Sequence, residues 1–432
     1  MKKRILALLL SCAMVVGLAA CGGGSSDNGG GAADNGSAPA PAAEDAESAG
    51  EAGSTDLADL TVGAIYINGK NDTAGYTYQH SNGIITAMRN LGMDVDSQLY
   101  VVDYVEEDYD AVCQAIDTLV GEGCDIIFGI SFGYLDAFND KAAEYPDVIF
   151  SHGTGYLCND TNFNNYFGRA YQARYLAGIV AGLKSLEEGN NNIGYVAAFG
   201  TEYAETASGI NGFAMGVRAV NPDATIYVKE LGAWGDEPNE YAFAEELINS
   251  YNCCVISQHC DSAQAMIAAA DAGVYGCGYN SDMTEDAPTA VLTSAVWHWD
   301  VYYQTAIEAA AACGGDASQF VTQMGGPAYY AGLAEGFVGY APLNEAIAPA
   351  NAQAYLDAVS DLIISGEWDV FSGTALSFEE AEDGTVTVVQ TPADLVDNEG
   401  NVIVEAGGPS VEDSVITGTM DWFVEGVQDV AG

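Results

Sequence analysis

Asp72 and Tyr76 sit in a loop that follows a short apolar run, Val62 to Ile67, and leads into a segment of helical character near Tyr78. In an open α/β sheet, ligands collect beyond the carboxyl ends of the strands. A strand-to-helix loop carrying a carboxylate and an aromatic ring therefore belongs at a binding site. The same kind of position, a strand end or the loop after it, recurs for Phe132, His152, Trp234, Asp261, Asn280 and Asp282. A carboxylate in such a place needs a partner, either ligand or backbone, because burying it unpaired is costly. His152 as a neutral imidazole offers one donor and one acceptor. Backbone amides in Ser131-Phe132-Gly133 can receive a polar atom at a helix start. For Asp261, next to Ser262, helix capping is the competing role. The chain has no H-E-x-x-H and no G-x-x-x-x-G-K-[ST] loop, so neither metalloprotease nor phosphate-loop chemistry is indicated. Asp72 with Asp282 could act as a carboxylate pair for glycoside hydrolysis. The expectation is a binding protein rather than an enzyme, with no cofactor and no metal.

Composition narrows the ligand. Eleven Lys and Arg face 62 Asp and Glu, a net charge of −51. Such a surface repels phosphate backbones and anionic headgroups, which excludes nucleic-acid binding through a basic patch. A phosphorylated ligand would want an Arg or Lys cluster, so a neutral ligand is expected. The first 21 residues read as an export signal: Lys2, Lys3 and Arg4, then an apolar run from Ile5 to Val16, then small residues before Cys21. Leu18-Ala19-Ala20-Cys21 resembles a lipoprotein signal, which implies lipidation of Cys21 and anchoring at the outer face of the cytoplasmic membrane. Residues 22–56 are a flexible tether rich in Gly, Ala, Ser and Pro. Of the ten cysteines, the eight beyond Cys21 fall mostly within apolar runs, where Cys acts as a small hydrophobe, and buried free thiols are expected. Cys254 and Cys260 are the pair that could face each other. No C-x-x-C pairs mark a zinc ribbon.

With 432 residues, the chain exceeds what one core supports, so two domains are expected. From Leu57 onward strand-like and helical segments alternate, pause at Gly168-Arg169 where a long amphipathic helix begins, then repeat from Ile193. Two successive copies of a βα pattern imply two parallel-sheet lobes. Lobe 1 is expected over 57–168 plus 297–325, and lobe 2 over 169–296 plus 326–432. Residues after Gly373 read as hairpins.

Particular motifs then carry a resemblance: Phe167-Gly168-Arg169, Ala173-Arg174-Tyr175-Leu176-Ala177-Gly178, Ile193-Gly194-Tyr195-Val196-Ala197, Gly209-Ile210-Asn211-Gly212-Phe213, Asn221-Pro222, Gly278-Tyr279-Asn280-Ser281-Asp282 and Leu292-Thr293-Ser294. In order and content they resemble the basic membrane protein family, lipoproteins of the purine-nucleoside receptor type that feed ABC importers. The resemblance covers Leu57 to Ser365 and implies a periplasmic-binding-protein type I fold, α/β, with two doubly wound Rossmann-like lobes joined by crossover segments. It also implies a monomer that delivers a purine base or nucleoside to an ABC permease. A flat ring needs aromatic walls and a polar edge, which assigns Tyr76 and Trp234 to the walls and Asp72, His152, Asp261, Asn280 and Asp282 to the edge. Phe132 and Trp297 complete the ligand-binding set. The sequence departs from the family where Leu292-Thr293-Ser294-Ala295-Val296 runs into Trp297-His298-Trp299 in place of a Lys, where Asn280 replaces a carboxylate, and where Ser208 replaces an Arg. The first two changes remove groups that grip sugar hydroxyls. A free base, or another neutral aromatic such as a flavin, fits as well as a nucleoside, and a surface interaction protein without a transport role is the remaining alternative.

Overall fold

The structure is a computed structural model that describes residues 54–72 and 75–430. The expected export signal, lipidation at Cys21 and nearly all of the expected tether lie outside the described residues. Short runs of Val, Ile, Phe and Gly, buried on both faces, make strands that must lie inside a parallel sheet. The first sheet has the order β11 (Ala328–Ala331), β5 (Phe163–Gly168), β4 (Ile149–Gly153), β3 (Ile126–Gly129), β1 (Val62–Ile65), β2 (Leu99–Val102). Every pairing in it is parallel. Its crossovers are α1 (Gly75–Asn90), α2 (Val95–Gln98), α3 (Tyr109–Gly121) and α4 (Leu135–Glu144). Asp108 starts α3 by accepting a hydrogen bond from the Ala111 amide at 3.0 Å.

The second sheet has the order β12 (Val338–Tyr340), β10 (Val291–Trp297), β9 (Tyr275–Asn280), β8 (Val255–His259), β6 (Asn192–Ala197), β7 (Thr225–Glu230), β17 (Val427–Asp429). Only β12 runs antiparallel to its neighbour. Helices α5 (Ala170–Glu187), α6 (Ala204–Val220), α7 (Glu237–Tyr251) and α8 (Gln264–Ala272) cover it. Asp236 caps α7 ahead of Pro238, and left-handed Asn252 and Gly273 end α7 and α8. Helix α9 (Trp299–Ala312) returns to the first lobe and packs on α1, followed by α10 (Phe320–Gln323). The chain closes with α11 (Ala352–Ser365), the hairpin β13 (Thr374–Glu380) with β14 (Val386–Pro392), the small hairpin β15 (Leu395–Val396) with β16 (Val402–Val404), and α12 (Asp413–Gly418) before β17.

The chain passes between sheets three times, from β5 to α5, from β10 to α9 and from β11 to β12. These passages are bound together. Arg169 donates its amide to the Ala331 carbonyl at 2.7 Å and His298 donates to Phe337 at 2.9 Å. One ring cluster joins all three: Trp297 stacks on Trp299 at 4.6 Å, with Phe167 at 5.0 Å and Phe337 at 5.5 Å from Trp297.

Several expectations need correction. The stretch before Gly168, where the alternation was expected to pause, is strand β5, because its Phe163 and Tyr166 are buried against the first lobe's core. Helix α5 is buried nearly all round rather than amphipathic, since α6, α11 and the second sheet enclose it. The first lobe extends past 325 to Ala331, because β11 pairs with β5 from Ala328 onward. The cysteines need none: the eight within the described residues are free, as expected, Cys254 and Cys260 among them.

Candidate functional site

At the carboxyl ends of β8 and β9 the second lobe gathers polar side chains that find few partners. Arg174, one turn into α5, is 1 % exposed and lies over the Tyr279 ring, 3.9 Å from its centroid. Its Nη1 donates to the Tyr195 hydroxyl and to the Gln258 carbonyl, the latter at 2.9 Å. Its Nε and Nη2 are buried and bond to nothing, as are Nδ1 and Nε2 of His259 and Oε1 of Gln258. Glu205, in the first turn of α6, faces this group with Oε1 3.6 Å from His259 Nε2. Gly209, one turn further along α6, makes the approach possible, since a Cβ there would stand 2.9 Å from Arg174 Nε and 3.1 Å from His259 Nδ1.

Asp261 joins the mouth of this group. Its Oδ1 accepts from Asn280 Nδ2 at 3.0 Å, and its amide donates to the Trp234 carbonyl at 3.1 Å. Burial pushes the Glu205 carboxyl up to about 7, Arg174 pulls it back and Asp261 adds to the rise. Burial pushes Asp261 up to about 7 as well, opposed by the Asn280 hydrogen bond and reinforced by Glu240. Burial and the adjacent Arg174 hold His259 well below its usual range, so its imidazole is neutral. The two carboxyls thus keep protons near neutrality and can both donate and accept.

The first lobe supplies the opposing ring. Tyr76 is half-buried, and its hydroxyl donates to the Ile130 carbonyl. Burial lifts its phenol well above the usual value, with Tyr166, Glu205, Asp261 and Tyr279 contributing, so the ring lies within electrostatic reach of both second-lobe carboxyls. Behind it His80 packs at 4.3 Å and stacks on Trp299 at 3.9 Å. At Gly75 a Cβ would stand 3.9 Å from the Asp261 carbonyl, so the two lobes meet here.

The other expected residues are placed as follows. Trp234 is 39 % exposed, packs on Phe199 at 5.0 Å and lies 6.3 Å from the His259 ring. Trp297 is buried in the crossover cluster and donates Nε1 to the Tyr279 hydroxyl at 3.2 Å, so it backs the site through Tyr279. Asn280 takes left-handed backbone at φ 68°, a conformation Asn tolerates better than most residues, and this ends β9 with its amide turned to Asp261. Asp261 is not a helix cap, since Ser262 Oγ instead receives the Gln264 amide. Asp282 is exposed and accepts from the Thr284 amide at 2.9 Å within a turn. Asp72 folds back toward Gly69 and takes no part in the hydrogen bonds of the buried group.

His152 is wholly buried. Burial drives its pKa to about 4, and its Nε2 donates to the Ser131 carbonyl at 2.8 Å. It holds the loop after β3 in place. Phe132 on that loop is half exposed, and the Gly133 amide, expected to await a ligand atom, is taken by Glu107 at 2.8 Å. The run Gly129 to Gly133 has the G-x-S-x-G spacing of a hydrolase elbow. Its Ser131 has ordinary extended backbone at φ −115° in place of the strained turn of an elbow, and its hydroxyl donates a hydrogen bond to Glu107 at 2.6 Å.

Sequence reasoning missed Arg174, Glu205 and His259 as site residues. Arg174 carried a signal, because a charged side chain within an otherwise apolar helix must face something polar. Among the described residues no group of His, Cys, Asp and Glu could hold a metal ion, and no helix is long and apolar enough to cross a membrane.

The family model described as ABC transporter substrate-binding protein PnrA-like matches residues 60–370. A purine-binding protein of Brucella abortus is 34% identical over 73% of this chain and 83% of its own length. The putative ABC transporter glucose-binding protein TsgA13 of Haloferax volcanii is 37% identical over 60% of this chain, which spans 62% of that protein. An ABC transporter solute-binding protein from Conexibacter woesei has the same fold, with a TM-score of 0.57 at 21% identity over 72% of this chain and 98% of its own. The chain belongs to the Bmp family of PnrA-like ABC transporter substrate-binding proteins.

Proposed function

We propose that this receptor binds a purine base or nucleoside between its lobes and delivers it to an ABC permease. The observation that carries the reading is the set of buried, unpartnered polar atoms on Arg174, His259 and Gln258, close to two half-buried carboxyls that lie within electrostatic reach of Tyr76. Such groups are costly to leave unmet, and a small heteroaromatic molecule with donors and acceptors around a flat ring meets them. The purine-binding relative supports that class. Tyr76 and Trp234 cover the ring faces, and Asp261 and Asn280 read its edge, with Asp72, Phe132 and Asp282 at the rim.

Calorimetric titration of the full chain with purine bases, nucleosides and D-glucose tests this. The expected result is saturable purine binding, with Tyr76→Ala weakening it by about 1–3 kcal/mol, the usual worth of one stacked base. Glucose binding without purine binding would transfer the site to sugars, the class named for the Haloferax relative. Closure over the ligand would shrink the scattering envelope. Anchoring through Cys21 at the outer face of the cytoplasmic membrane is part of the same proposal, checked by loss of membrane association in Cys21→Ala.

A further inference from the structure

Few cations exist in this chain, and their employment is informative. Three of the eleven Lys and Arg are Lys2, Lys3 and Arg4, which leaves eight. Lys141, Arg169, Lys184, Arg218 and Lys229 are each paired with a carboxylate. Three of the eight are buried: Lys184, Lys229 and Arg174. Only Arg174 of these three has no carboxylate in contact, and it is the most deeply buried. A guanidinium kept dry and half-used is expensive unless something completes it.

The part left over has a definite shape. Nη1 is spent on Tyr195 and the Gln258 carbonyl. The remaining Nε–H and Nη2–H lie side by side on one edge of the planar group and form a two-donor fork. Tyr279 packs under the guanidinium face and fixes its plane, while Gly209 leaves the space beside Nε free of a side chain. Glu205, within coulombic reach of the guanidinium, stands 3.6 Å from His259, and Asp261 is paired with Asn280 nearby. A fork of parallel donors matches two adjacent acceptors, as O6 and N7 of a purine provide.

We propose that Arg174 is a specificity-determining residue and that the ligand class is the 6-oxopurines, read by the Nε and Nη2 fork at O6 and N7, with the N1–H given to the Glu205 and Asp261 carboxyls. The proposal rests on the purine reading above. A 6-aminopurine presents an N–H donor where O6 would be, so donor meets donor and the fork stays unpaired. Both acceptors persist in free base and riboside alike, so the preference holds for either form.

The test is calorimetry on the full chain with hypoxanthine, guanine, adenine and D-glucose, for the wild type, Arg174→Met and Arg174→Lys. Hypoxanthine and guanine are expected to bind at least about tenfold tighter than adenine, within the range for one bidentate contact. Arg174→Met should erase that preference, and Arg174→Lys, which keeps the charge without the fork, should not restore it. Should Arg174→Met fail to fold, the wild-type ratio and Arg174→Lys decide. Adenine binding within about threefold of hypoxanthine would overturn the assignment yet leave the purine reading standing. A preference retained in Arg174→Lys would overturn it too. Glucose binding with no purine bound would remove both.

Discussion

Glu205 is the residue on which protonation and folding meet. Its folded carboxyl holds a proton up to about 7, against an ordinary value of 4.5, chiefly because of burial, with Arg174 and Asp261 acting in opposite directions. A carboxyl raised on folding favours the folded state fully below its unfolded pKa, and that contribution is lost as pH rises through the folded value. Gln in its place mimics the protonated acid. In the ligand-free protein Glu205→Gln should therefore match the wild type at about pH 4, below the unfolded value. At pH 8 it should melt higher by about 2–4 °C, the response expected for roughly 1 kcal/mol in a folding unit the size of one lobe, about 150–250 residues. His80 and His152 titrate in the opposite sense, since burial holds each of them below its usual value, but they are common to both proteins and cancel in the comparison. An equal melting difference at both pH values would show that Glu205 is ionised in the fold throughout. At this scale the sequence was partly legible. Tyr76, Asp261 and Asn280 were selected because strand ends attract ligands, and the structure gathers them at one place. Arg174 escaped because helical periodicity sees only which face is apolar, and α5 has no polar face to compare.

Among the elements, the pair α5 and α6 sets the geometry of the site, because one carries Arg174 and the other Glu205. They lie unusually close. A Cβ on Gly212 would stand 2.6 Å from the Tyr171 carbonyl, and one on Gly178 or Gly216 would overlap the carbonyl of Phe213 or Tyr175. Glycine is needed at these positions for approach rather than for its dihedral freedom. Gly216→Ala should separate the helices and cost about 1–3 kcal/mol, the range for an overfilled core. It should also weaken ligand binding, since the distance between guanidinium and carboxyl would change. A thermal melt alongside a titration checks both, and unchanged binding with lowered stability would uncouple the helix spacing from the site. Most strands and helices were visible in the sequence because apolar runs and turn residues alternate so regularly. Strands β5, β11 and β17 were not. Phe163-Asn164-Asn165-Tyr166 has Asn at its centre, where both amides are buried, and Asn164 finds the Tyr302 hydroxyl at 2.9 Å. That partner lies 138 residues away and no local pattern announces it.

On the scale of the molecule, residues beyond 370 lie past the stretch matched by the family model and yet belong to the second lobe's core. Leu376, Leu395, Ile416, Phe423 and Val427 pack in the same apolar cluster as α5 and α6, and β17 extends the sheet beside β7. Asp413 on this segment pairs with Arg169 at 2.6 Å, directly at a crossover between lobes. Asp369, just before it, accepts from Tyr171 and Gln172 at 3.0 and 3.2 Å. Ending the chain after Val370 should leave a second lobe that does not fold, read as loss of soluble protein or of a cooperative melt. A truncated chain that melted like the wild type would reduce the segment to an ornament on the surface.

The free cysteines add a practical consequence. Cys253, Cys254, Cys260 and Cys277 are all sealed within the second lobe, whereas the partly open Cys113 and Cys158 belong to the first. A bulky maleimide should therefore tag the first lobe in minutes and reach the second only when that lobe opens. The native chain, without any engineered label, carries its own clock for how often each half comes apart.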